Sequence, residues 1–281
     1  MRKMNFTLTA LFNSSVVKAS LFVILFIGSL SLKSFSAIIT TTGNGNWSST
    51  VPNAPWPGGT LPSSGDTVVI GNGDTLTVDG NYTCNLLAFY SPASGLGSGV
   101  LMVNSGYTLT VATAIQSPGI NDNILVDGTY VISGAGTIDC ASINCGNNLS
   151  TASDGIFTTT LISTIHALNV SGDLTIYGSY YATDTLNNAV FNIQGGVVTI
   201  NGTIITDNAN ASNTSTLDLV SSASNPKLVL GGATPFNLSG TGTNTINLNG
   251  YAATVDYHYS GSQTVYGTTY TNLTLSGSGN K

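Results

Sequence analysis

The sequence predicts an all-β fold, a right-handed parallel β-helix built from stacked coils, and three observations carry that expectation. From Thr40 onward no apolar pattern of helical period persists, and the pattern that recurs alternates every second residue. The β-branched runs are short and punctuated by Gly, Asn and Asp, with 33 Gly in the chain. Similar phrases also return at long intervals, which marks a repeat architecture.

Arg2 and Lys3 open a polar, basic segment that leads into the apolar run Leu21 to Leu32 and then to Ser34, Ser36 and Ala37. This order reads as a secretory signal peptide over residues 1–36. A membrane anchor needs about 20 apolar residues, and Lys18 and Lys33 bracket the run too closely for that. The mature chain is therefore expected to be secreted or held at the cell surface, without an integral membrane anchor.

Residues 37–65 differ from the rest of the mature chain, holding Trp47, Trp56 and the prolines Pro52, Pro55, Pro57 and Pro62. Proline cannot donate to a sheet ladder and tryptophan covers apolar area well, so this segment reads as the cap that a solenoid needs. Two tryptophans also offer a stacking surface for a sugar, which makes Trp47 and Trp56 ligand candidates.

Residues 66–281 carry the predicted strands, at 66–70, 75–78, 107–111, 124–132, 174–177, 197–205 and 273–275. Inward positions would stack Val, Ile and Leu from coil to coil, with Thr, Ser and Asn outward. Five phrases match: Val78-Asp79-Gly80, Val126-Asp127-Gly128, Ile176-Tyr177-Gly178, Ile200-Asn201-Gly202 and Leu248-Asn249-Gly250. Their glycines lie 48, 50, 24 and 48 residues apart, so a coil of about 24 residues is expected. The alternative is an antiparallel β-sandwich, because Asp-Gly and Asn-Gly are also strong hairpin signals. Persistence of the period over some two hundred residues favours the solenoid. Ser276 to Lys281 come after the last strand with no cap, so the chain reads as the front of something longer.

Only 6% of the residues are charged, against about a quarter in an ordinary domain. All twelve acids are Asp, and loss of the leader leaves Lys227 and Lys281 as the only side-chain cations, a net charge of −10. Such a chain repels phosphate backbones, which excludes nucleic acid as a partner. Glycans or host and cell-surface components are the partners that remain.

Cys84, Cys140 and Cys145 sit in an export compartment where disulfides persist. Cys140 and Cys145 could bridge if a turn separates them, or all three could be small buried thiols. Zinc is not expected, because His166 and His258 lack paired ligand spacing. A structural Ca²⁺ could draw on Asp74 and Asp79, or on Asp122 and Asp127, together with turn carbonyls.

Enzymatic chemistry finds little material. A glycoside hydrolase needs two converging carboxylates, yet no two Asp are adjacent and Glu is absent. Lys227 follows Asn225-Pro226 in what reads as a loop. The best constellation is Asp256-Tyr257-His258-Tyr259, where alternation places Asp256 and His258 on one strand face. A carboxylate beside an imidazole could orient a base, but no nucleophile is placed by spacing. The expectation is no enzyme and no cofactor, with Asp256 and His258 kept as ligand candidates.

Gly43-Asn44-Gly45-Asn46-Trp47, Pro62-Ser63-Ser64-Gly65-Asp66-Thr67-Val68-Val69-Ile70 and Tyr82-Thr83-Cys84-Asn85-Leu86 resemble the start of repeat-rich surface proteins from type IX secreting bacteria. Gln263-Thr264-Val265-Tyr266 and Tyr270-Thr271-Asn272-Leu273-Thr274-Leu275-Ser276-Gly277 resemble their recurring unit. The resemblance implies a parallel β-helix, export and an adhesin-like role, although the C-terminal sorting domain of that route is not seen here.

Overall fold

In the computed structural model the described residues are 36–90, 96–117, 128–146, 157–179, 187–208 and 210–281. Residues 1–35 of the expected signal peptide lie outside them, as do Asp122, Asp127 and the first part of the expected strand at 124–132. The unit Ser36–Lys281 is a β-solenoid in which every strand pairing among the described residues is parallel. The antiparallel alternative is thereby excluded.

The twenty strands of the described residues divide among three faces. The first face stacks β1 (Ile38–Thr40), β3 (Thr67–Ile70), β6 (Leu86–Phe89), the second halves of β8 (Thr108–Ser117) and β10 (Thr137–Gly146), then β13 (Leu174–Ser179), β15 (Ile204–Asn208) and β17 (Phe236–Gly240). The second stacks β2 (Gly45–Asn46), β4 (Thr75–Val78), β7 (Gly97–Val103), β9 (Gly128–Gly134), β11 (Phe157–Ser163), the first halves of β14 (Asn187–Ile200) and β16 (Thr214–Leu230), and β18 (Thr243–Asn247). The third begins at β5 (Tyr82–Cys84) and continues through the first halves of β8 and β10, then β12 (Ala167–Val170), the second halves of β14 and β16, β19 (Thr254–Tyr257) and β20 (Asn272–Leu275).

The solenoid makes about six turns of about 30 residues, not the expected 24. On the third face Thr108, Thr137, Ala167, Val197 and Lys227 lie in register, stepping by 29, 30, 30 and 30 residues. The matched glycines misled because they occupy different places. Gly80 and Gly250 turn the corner between second and third faces, Gly202 turns the corner between third and first, and Gly178 lies inside β13. With three corners per coil all favouring Gly or Asn, glycine spacing reports corners and not turns. For the same reason the expected strand at 197–205 is the end of β14 and the start of β15, with Asn201, Gly202 and Thr203 between.

The corner between second and third faces needs left-handed backbone repeatedly, at Gly106, Gly134, Gly196, Asn225 and Ala252, where φ runs from 47° to 110°. At Gly196 a Cβ would also sit 1.8 Å from the Ile165 carbonyl oxygen, so no other residue fits there. Asn225 performs this turn before Pro226, and Lys227 is therefore a strand residue of β16 and not a loop residue. The inward row of the third face is continuous and apolar, as in Leu109, Ile138, Leu168, Val198, Leu228 and Val255, all fully buried. Burying each such side chain stabilises by about 1.5–3 kcal/mol.

Residues 37–65 join the stack of coils directly. Their strands β1 and β2 already pair with β3 and β4, so the segment supplies the first partial coil and seals it. Asp66 ties the segment down by accepting from the Ala37 amide at 2.8 Å and the Ser63 amide at 2.7 Å. Burial alone would raise the Asp66 pKa, but these bonds outweigh it and hold the carboxyl below its ordinary value.

Candidate functional site

Register brings Asp256 of β19 and His258, which directly follows the strand, together with two residues that spacing had not marked. Asp256 faces outward between Val229 and Thr274. It is nonetheless 5% exposed, because its neighbours close over it. Lys227 Nζ lies 2.9 Å from Asp256 Oδ2, Ser276 donates to Asp256 Oδ1 at 2.5 Å, and His258 Nδ1 lies 2.9 Å from Ser276 Oγ. Ser276 is the residue that joins Asp256 to His258.

The order of groups decides the chemistry. Ser276 has one hydroxyl proton and directs it to Asp256, so His258 Nδ1 must carry a proton and donate to Ser276 Oγ. A nucleophilic serine needs the opposite arrangement, with imidazole accepting from the hydroxyl and carboxylate behind the imidazole. Burial would raise the Asp256 pKa, but the Ser276 hydroxyl and the Lys227 ammonium outweigh it and hold the carboxyl below its ordinary value. The cluster thus fastens β16, β19 and the residues after β20 to one another.

Trp47 and Trp56 are both fully buried. Their rings meet edge to face at 5.3 Å, Trp56 Nε1 donates to the Trp47 carbonyl at 2.7 Å, and Trp47 stacks on Tyr82 at 5.3 Å. Neither indole face is available to a sugar, which corrects the ligand reading and leaves the sealing role. The cysteines are three buried free thiols. Cys140 and Cys145 lie on the two halves of β10, paired with β12 and β13 on different faces, so the turn that would fold one onto the other is absent and no bridge forms. Burial pushes all three thiols up to about 12.

Asp74 and Asp79 do not converge, because β4 separates them and a strand advances about 3.3 Å per residue. Each instead serves the coil below, Asp74 accepting from the Thr41 hydroxyl and Asp79 from the Ser48 amide at 3.0 Å. Among the described residues no group of three or more His, Cys, Asp or Glu gathers as a metal site would require.

A groove that sequence reasoning missed runs beside the corner between third and first faces, with a volume of about 330 Å³. One wall is the outward row Thr110, Asp139 and Asn169, in register on successive coils. The other is low because the corner residues Ala112, Ala141 and Ser171 are small. Asn169 Nδ2 donates to Asp139 Oδ1 at 2.8 Å across the rung, which fixes both side chains. Recognising the groove beforehand needs the 30-residue register, since only that register aligns these small corners.

Compared with known proteins, the chain matches no family model, no curated protein and no solved structure at a significant level. Among the described residues, no helix is long and apolar enough to cross a membrane.

Proposed function

We propose that this chain is an exported, non-enzymatic, repetitive scaffold that works as a cell-surface or adhesin-like module. The observation that supports the reading is the use to which the solenoid puts its polar groups. The cluster of carboxylate, hydroxyl, imidazole and ammonium groups around Asp256 is internally paired and joins coils, while the outward rows present short neutral side chains such as Thr110, Asn169 and Thr199. The leader-like start and the resemblance to repeat-rich surface proteins support export. Full-length chain expressed with a C-terminal epitope in a Gram-negative host tests this. Epitope on intact cells and attachment to glycan-coated or cell-coated plates is expected, and cytoplasmic retention with no attachment would overturn it.

A second reading, a polysaccharide-binding or polysaccharide-degrading β-helix, is favoured by the groove at Asp139 and Asn169. Release of reducing sugar from polysaccharide separates degradation from binding alone.

A further inference from the structure

We infer that the groove along Thr110, Asp139 and Asn169 is a binding site for a neutral oligosaccharide lying parallel to the solenoid axis. The inference deepens the polysaccharide-binding reading of the same groove by naming the ligand class, and it rests on the surface-module reading only for the groove's access to glycans.

Shape comes first. The groove draws residues from four successive coils, from Ala112 through Ala141 and Ser171 to Asn201. Parallel strands stack about 4.8 Å apart, so three steps span about 14 Å. That suits an extended chain of rings better than one compact molecule. The volume of about 330 Å³ falls at the lower end of ligand clefts.

The donor set then selects the ligand. The Asn169 bond leaves Asp139 Oδ2, Asn169 Oδ1 and the second Asn169 N–H for a ligand. A carboxylate accepts two hydroxyl protons, and an amide both donates and accepts, so the pair matches a vicinal diol. Orientation is already fixed by the bond between coils, which reduces the ordering cost of binding. Thr110 and Ser171 add hydroxyls on either side, and Ala112 and Ala141 in the low wall give a small apolar surface for the C–H face of a ring.

Charge excludes the competing classes. Among the described residues lining the groove, Asp139 alone is charged. Lys227 is paired to Asp256, and Lys281 donates to the Tyr259 carbonyl at 2.6 Å and to Gln263 Oε1 at 2.9 Å. No cation among the lining residues could accommodate a uronate, sulfate or phosphate, and Asp139 repels all three. The same lining residues include no aromatic ring, so an apolar ligand has little to bury.

The test is a titration of the full chain with cellohexaose, xylohexaose, mannohexaose and chitohexaose, with hexagalacturonate as the anionic probe. At least one neutral hexasaccharide is expected to bind, and hexagalacturonate is not. Asn169→Ala should weaken that binding at least tenfold, and Ala112→Tyr, which fills the groove from an exposed corner, should abolish it. Both variants are checked for an unchanged circular dichroism melt, and Thr203→Ala, outside the groove, should bind as the parent does. Failure of every neutral probe would overturn the inference, as would binding that survives both groove variants. Surface display and attachment without neutral-sugar binding would sink this inference alone. Neutral-sugar binding by a chain that never reaches the surface would sink the surface-module reading alone.

Discussion

Replacing Trp56 with Ala tests whether the first partial coil closes the core. Trp56 is fully buried, its ring packs against Trp47, and its indole N–H is the donor to the Trp47 carbonyl. Truncating a buried Trp to Ala costs about 3–5 kcal/mol through lost transfer energy and the cavity left behind. The orphaned Trp47 carbonyl adds a penalty of about 1–3 kcal/mol if water does not reach it. Even the lower total, with a urea dependence of about 1–3 kcal/mol per M, moves a midpoint by about 1 M or more.

The assay exploits composition, for the chain has two tryptophans and both belong to this segment. After the substitution, fluorescence reports Trp47 alone while far-ultraviolet circular dichroism reports the whole sheet. A solenoid is held mainly by contacts between neighbouring coils, so the fluorescence transition of Trp56→Ala should move to lower urea further than the dichroism transition. Unshifted transitions by both probes would refute the sealing role. Equal shifts would refute the local coupling between coils.

The titrating groups give two further expected outcomes. Asp256 has a folded pKa below its ordinary value, so its stabilisation is present above the unfolded value of about 3.9 and is lost as pH falls through the lower folded value. Melting temperatures against pH should show Asp256→Asn less stable than the parent at pH 7, with the gap closing below about pH 4; a constant gap would contradict the assignment. The three thiols, buried and pushed up to about 12, should resist an aromatic disulfide reagent at pH 8 in the folded chain. All three should react in guanidinium, and a count of one there would show that two are bridged.

The fold was legible because inward alternation survives on strands such as β4, β7, β9 and β12 and depends on the side chains of one strand at a time. Coil length was not, because it depends on which corner each Gly or Asn occupies, and the five similar phrases mix corners. Asp256 and His258 could be placed on one face from their spacing of two. Ser276 could not, since the last step on the third face is short, Thr254 pairing with Asn272 only 18 residues on. Lys227 was misread because Asn-Pro usually marks a loop, whereas here Asn225 turns a corner straight into a strand. The buried tryptophans show the limit of composition, which could not say whether their rings faced out.

Register also accounts for the scarcity of charge. Each outward side chain in a parallel solenoid faces its counterparts one rung above and below, about 4.8 Å away. Two like charges at that distance repel by about 3 kcal/mol at an effective dielectric of about 20, and a row of them accumulates the penalty at every rung. On the described faces each acid is flanked by uncharged partners: Asp139 by Thr110 and Asn169, Asp218 by Asn192 and Asn247, Asp207 by Tyr177 and Ser239, and Asp256 by Val229 and Thr274. Other described acids sit at corners, where Asp66, Asp79 and Asp173 each accept backbone amides. Short hydroxyl and amide side chains escape the repulsion and can bond along the row, as Asn169 does to Asp139. A surface this poor in charge is therefore what stacked, in-register coils demand.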